Sequence, residues 1–149
     1  MKYKTVLQRV GPAGGQWTFC DKQGACGTSV YDNFGLFYFP KPDEVGTGRR
    51  LQVRFDKPER PSFVEVSAWS KVRKAKNCGD CKRPLGKRRE LKSILRPVKR
   101  DGETTGWSVF FRTNEPSRHY LRVAMGWKQK PGTHTSYGRV IYGLHVRTR

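Results

Sequence analysis

RDGETTGWSVFFR, residues 100–112, is the stretch that decides the fold. Trp107, Val109 and Phe111 alternate with Ser108, Phe110 and Arg112, and a period of two is the signature of a half-buried strand. Asp101-Gly102 immediately upstream predicts a tight hairpin turn, since Asp and Gly tolerate the positive φ that such turns require. The same alternation recurs on both sides. Leu51, Val53 and Phe55 are interleaved with Arg50, Gln52 and Arg54. Val64, Val66 and Ala68 share one side of the next run, against Phe63, Glu65, Ser67 and Trp69. Leu121, Val123, Met125 and Trp127 form one stripe, and Val140, Tyr142, Leu144 and Val146 another. Residues 3–10, 16–20 and 35–39 are weaker strand candidates.

Turn-forming clusters separate these runs: Gly11-Pro12 and residues 40–48, 58–61 and 130–135. The expectation is about eight or nine short strands in one domain spanning residues 1–149, an all-β sandwich or partly open barrel. Helix is expected at most over residues 87–95, where a β-ribbon fits as well. An aromatic share of 12% argues against disorder. No run of eighteen apolar residues predicts a membrane-spanning helix. The start MKYKTVLQRVGPAGG has no apolar core of a signal peptide. A reducing setting is therefore expected, cytoplasmic or inside a nucleoprotein or virion.

Charge is concentrated. The chain carries a formal +19. Residues 71–100 hold thirteen bases (Lys71, Arg73, Lys74, Lys76, Lys82, Arg83, Lys87, Arg88, Arg89, Lys92, Arg96, Lys99 and Arg100) against Asp80 and Glu90, a local +11. Such density repels itself and calls for a polyanion. Nucleic acid is the partner class this implies, with the bases neutralising phosphates. The segment reads as a basic insertion in a nearly neutral β scaffold.

Cys78-Gly-Asp-Cys81 followed by Lys-Arg-Pro-Leu-Gly sits inside this segment. It resembles the zinc knuckle of zinc-ribbon and treble-clef proteins over about nine residues. Two thiolates two residues apart can take one tetrahedral ion from a tight turn. Cys20 and Cys26 would complete a four-cysteine site for one zinc ion, although their five-residue gap is longer than the knuckle spacing. The alternative is that Cys20 is a small buried apolar residue.

Binding unpaired strands also needs flat rings among the cations. Trp69 leads into Lys71 and Arg73, Tyr120 precedes Arg122, and Trp127 precedes Lys128 and Lys130, with Tyr137 close behind. Trp69, Phe110, Tyr120 and Tyr137 lie off the apolar stripes, which makes them the stacking candidates. Trp107, Trp127 and Tyr142 are expected in the core. No major-groove recognition helix is legible, so RNA or single strands are expected over duplex DNA.

Two other function classes fit parts of the pattern. A small basic ribonuclease could draw on His119, His134 and His145 with Glu115, Arg112 and Arg122. An accessory module could use the same charge to bind an acidic protein or a larger ribonucleoprotein. No phosphate-binding loop, nucleophile elbow or zinc-protease motif occurs. The residues point foremost to a non-catalytic nucleic-acid-binding protein. Lys71, Arg73, Lys74, Lys76, Lys82, Arg83, Lys87, Arg88, Arg89, Lys92, Lys128 and Lys130 would meet phosphates, and Trp69, Tyr120 and Tyr137 would meet bases.

Overall fold

A computed structural model describes residues 14–20, 23, 25–31, 43–45, 48, 50–76, 82–113, 115, 118–128 and 137–148. Twelve strands run through them: β1 (Gly14–Cys20), β2 (Cys26–Tyr31), β3 (Asp43–Val45), β4 (Arg50–Phe55), β5 (Phe63–Trp69), β6 (Lys71–Lys74), β7 (Lys82–Leu85), β8 (Arg89–Leu91), β9 (Ser93–Arg100), β10 (Glu103–Arg112), β11 (Arg118–Trp127) and β12 (Tyr137–Thr148). A seven-stranded sheet has the order β2-β1-β12-β11-β5-β8, with β3 joining β12 in parallel. A three-stranded sheet has the order β4-β10-β9, and β6 and β7 form a separate ribbon.

The all-β, sandwich-like architecture expected from the alternation is the one that forms, and its sheets stay open rather than closing into a barrel. The apolar stripes face inward, except that Trp107, expected in the core, is only half-buried at its margin. Val66, Ala68, Val109, Phe111, Leu121, Val123, Met125, Trp127, Leu144 and Val146 make one buried cluster. Leu51, Val53, Phe55, Val64, Leu91, Leu95, Val140 and Tyr142 pack around it. Of the two conformations that fitted residues 87–95, helix and β-ribbon, the extended one forms, as β8 and the start of β9. Leu91 and Leu95 explain why. A strand lets each reach the core from a different sheet, with the chain crossing between sheets at Lys92. Pro84 and Pro97 are tolerated because β7 and β9 are edge strands, each paired on one side only. β2 forms over residues 26–31, where no strand was expected, and β3 forms inside the breaker expected over 40–48. Gln16 to Cys20 is strand as expected, within β1. The candidates 3–10 and 35–39 lie outside the described residues.

Asp101 and Gly102 adopt φ of 53° and 80°, the pair of positive angles a type I′ hairpin needs. They join β9 to β10, whose register slips between Thr104 and Gly106. At Gly106 the backbone of β4 approaches so closely that a Cβ would lie 2.5 Å from the Phe55 carbonyl oxygen.

Two indoles fasten the sheets together. Trp107 Nε1 donates to the Pro58 carbonyl at 3.0 Å, and Trp127 Nε1 donates to the Glu59 carbonyl at 2.9 Å. The linker from β4 to β5 is thereby held from both layers. Phe55 meets the Trp127 ring edge-on at 5.6 Å between centroids.

Candidate nucleic-acid interface

Residues 71–100 divide into a ribbon and an edge of the sandwich. The ribbon leaves β5 at Ser70 and pairs Lys71 with Leu85, Val72 with Pro84, Arg73 with Arg83 and Lys74 with Lys82. Two directly opposed like-charged pairs in a two-stranded ribbon work against its formation. Val72, Lys82 and Pro84 are half-buried, whereas Lys71, Arg73, Arg83 and Leu85 on the other face are exposed. Alternation explains this: β6 lies against β11, the face of Val72 and Pro84, which also carries Lys82 and the exposed Lys74, turns toward the sandwich, and the face of Lys71, Arg73 and Arg83 is left to solvent. The segment then returns to the scaffold as β8, on the edge of the seven-stranded sheet, and β9, on the edge of the three-stranded one.

The thirteen cations are not equivalent. Arg88 Nη2 lies 3.1 Å from Glu65 Oε1 and 2.6 Å from Glu90 Oε1. Arg89 Nη1 lies 3.3 Å from Glu115 Oε2, and its Nη2 is 3.1 Å from His119 Nδ1. These two guanidinium groups are engaged within the fold. Lys71, Arg73, Lys74, Lys76, Lys82, Arg83, Lys87, Lys92, Arg96, Lys99 and Arg100 have no carboxylate partner among the described residues. Eleven of the thirteen therefore carry no ion pair among the described residues.

The aromatic residues sort differently from the sequence reading. Trp69 and Tyr120 are only 9% and 6% exposed. They lie opposite each other across β5 and β11, and Tyr120 is in turn opposite His145 on β12. The Tyr120 and His145 rings stack at 4.2 Å and 19°. This row is closed in on the face away from the main core, so a base could not reach these rings without displacing neighbours. Tyr137 is half-buried at the start of β12, and Lys128 is exposed just past β11. Lys130 and His134 lie outside the described residues. Phe110 is half-buried on the outer face of the three-stranded sheet: Val109 and Phe111 on either side of it point into the core. Its position off the apolar stripe was the readable signal.

His119 is buried at one end of the core with both ring nitrogens occupied. Arginine can only donate, so Nδ1 accepts from Arg89, and Nε2–H donates to the Glu115 carbonyl at 2.9 Å, with Thr148 Oγ1 at 3.0 Å. Thr148 Oγ1 donates to the same carbonyl. Burial pushes the imidazole pKa down, the Glu115 carbonyl opposes this, and the nearby Arg89 charge lowers it further. His119 is therefore a neutral pin joining β8, β11, β12 and the loop at Glu115. His145 lies on the opposite face of the sheet, and Arg112 is spent on the Gly48 carbonyl. The described members of the ribonuclease set fall in three places: His119 with Glu115, Arg122 and His145 on the opposite face of the same sheet, and Arg112 on the smaller sheet.

Cys20 stands directly opposite Cys26 in the β1–β2 pairing. That pair lies beyond Thr18, which faces Tyr137 at the end of the sheet where β5 begins. The ribbon springs from the other end of β5. Cys78 and Cys81 lie outside the described residues. Among the described residues no three His, Cys, Asp or Glu side chains gather to hold a metal, and no helix is long and apolar enough to cross a membrane. No family model, curated protein or solved structure matches the chain.

Proposed function

We propose that this protein binds nucleic acid, RNA or single strands in preference to duplex, and does so without catalysing a reaction on it. One observation carries the reading: eleven cations of residues 71–100 lack carboxylate partners among the described residues, and the β6–β7 ribbon sets Arg73 against Arg83 and Lys74 against Lys82. A ribbon built this way is under internal repulsion until an anion threads it. A sugar-phosphate chain supplies regularly spaced negative charge and releases its own counterions on binding. Arg88 and Arg89 support the surface by fixing β8 to β5 and to the His119 pin, and the phosphate contacts fall to their unpaired neighbours.

Binding of a labelled oligoribonucleotide across a salt series tests the proposal. With five or six phosphates neutralised, log affinity should fall against log salt with a slope of about −3.5 to −4.2, from roughly −0.7 per contact on a single strand. Affinity that is indifferent to salt, or tight binding to an acidic protein that persists after nuclease treatment while RNA is ignored, refutes it.

A further inference from the structure

The outer face of the three-stranded sheet carries a surface whose rows can be written down from the register. Gln52, Phe110 and Ile94 form one row across β4, β10 and β9. Arg54, Ser108 and Arg96 form the next, and Arg50 and Arg112 lie beyond Phe110 on the other side. Val53, Val109 and Leu95 point the opposite way, into the sandwich. An apolar strip of Phe110 and Ile94 is thus bracketed by four arginines. Ile94 is 56% exposed. The Arg50 guanidinium sits 4.5 Å above the centroid of the Phe110 ring.

Each part has a local account except the combination. Gln52 Nε2 donates to Ser108 Oγ at 2.8 Å, which ties the exposed amide to the buried hydroxyl between Arg54 and Arg96. Arg112 is held by the Gly48 carbonyl and Arg54 by Asp56 at 3.3 Å. Asp56 is the carboxylate at the border of the strip, and it is already paired. Arg96 has no carboxylate partner among the described residues. A lone exposed Ile would need no explanation. A ring on the central strand, covered by a cation and ringed by more cations, is a surface complementary to a flat, electron-rich group carrying negative charge.

We propose that this face is where unpaired bases stack, with Phe110 as the platform and the arginines on the flanking phosphates. The inference rests on the nucleic-acid reading and deepens it by naming the base-contacting surface. Charge complementarity fixes the occupant as a single strand, because in a duplex the base faces are already stacked on one another. β9 makes the surface continuous with the cationic segment, since Arg96 belongs to both. A strand following the ribbon's phosphates can lay its bases on Phe110. Rows two residues apart along a strand are roughly 7 Å apart, so the two arginine rows lie roughly 14 Å apart with the Phe110 row midway between them. Arg50 either shares the ring with the base, one on each side of the contact, or moves off it to a phosphate.

The test compares a twelve-nucleotide oligo-uridylate, an abasic sugar-phosphate chain of the same length and a duplex, using wild-type protein and the Phe110→Ala and Phe110→Trp variants. Stacking of one base predicts about 5- to 150-fold weaker oligo-uridylate binding by Phe110→Ala, with the salt slope unchanged. Duplex and abasic binding should not change. Phe110→Trp should keep the affinity and show indole fluorescence quenched by oligo-uridylate and not by the abasic chain, a readout available even where Phe110→Ala folds poorly. Equal binding of abasic and base-bearing chains by wild type overturns the inference, as does an affinity indifferent to Phe110→Ala or a poly-glutamate that competes for the face. Failure of wild type to bind any of the three removes the nucleic-acid reading itself, so the two failures are distinguishable.

Discussion

Charge reversal on the ribbon separates two effects that a simple basic-patch picture would merge. Arg83 lies directly opposite Arg73, and Lys82 directly opposite Lys74. Opposed side chains at about 5 Å in water repel by roughly 0.8 kcal/mol per pair, and reversing one partner turns each repulsion into a comparable attraction. The double variant Arg83→Glu/Lys82→Glu should therefore stabilise the free ribbon by about 2–3 kcal/mol at low salt, less as salt screens it. Amide hydrogen exchange in β6 and β7 reads this as slower opening. Binding should move the other way. Each lost single-strand contact removes about 0.7 from the salt slope and about fivefold in affinity at 0.1 M salt. Two lost contacts make about 25-fold, and Glu adds repulsion beyond that. Arg83→Gln/Lys82→Gln should show the 25-fold loss with little of the added repulsion. A better-protected ribbon that binds RNA as tightly as wild type, with the same slope, would refute the reasoning. So would a reversal that leaves exchange unchanged at low salt, because the opposed pairs would then not be repelling.

Other perturbations follow from the scaffold. His119 is held neutral, with its pKa below the ordinary imidazole value. The unfolded chain therefore takes up the proton first as pH falls, and stability should decline below about pH 6.5. His119→Gln should flatten that decline in denaturant titrations between pH 7.5 and 5, and an unaltered pH profile would contradict the pin. Gly106→Ala would place a methyl group 2.5 Å from the Phe55 carbonyl oxygen. Backbone cannot yield as a side chain does, so a loss of about 1–3 kcal/mol in thermal or denaturant unfolding is expected, and wild-type stability would show that β4 is not so close. Metal analysis tests the knuckle-like Cys78 and Cys81: zinc that is lost in Cys78→Ser and kept in Cys20→Ser would support a site there, and zinc-free protein with full RNA affinity ends that reading.

What the sequence determined by itself was the periodicity and the charge. The stripes beginning at Leu51, Val64, Trp107, Leu121 and Val140 were readable because a strand assigns alternate residues to opposite faces whatever it pairs with. Asp101-Gly102 was readable because the positive φ at both positions is a local demand. The partner class was an inference from the density of Lys and Arg, which needs no coordinates. Tertiary structure decided which cations are available. Arg88 and Arg89 look like their neighbours in a one-dimensional charge count, and only pairing across strands brings Glu65 and Glu115 to them. It also decided which aromatic ring is reachable. Trp69, Tyr120 and Phe110 all lie off the main apolar stripes, yet the first two are closed in and Phe110 is only half-buried, on the outer face of the smaller sheet. Strand alternation tells a residue which face it takes, but whether that face is covered depends on segments far away in the chain, and no local pattern encodes that.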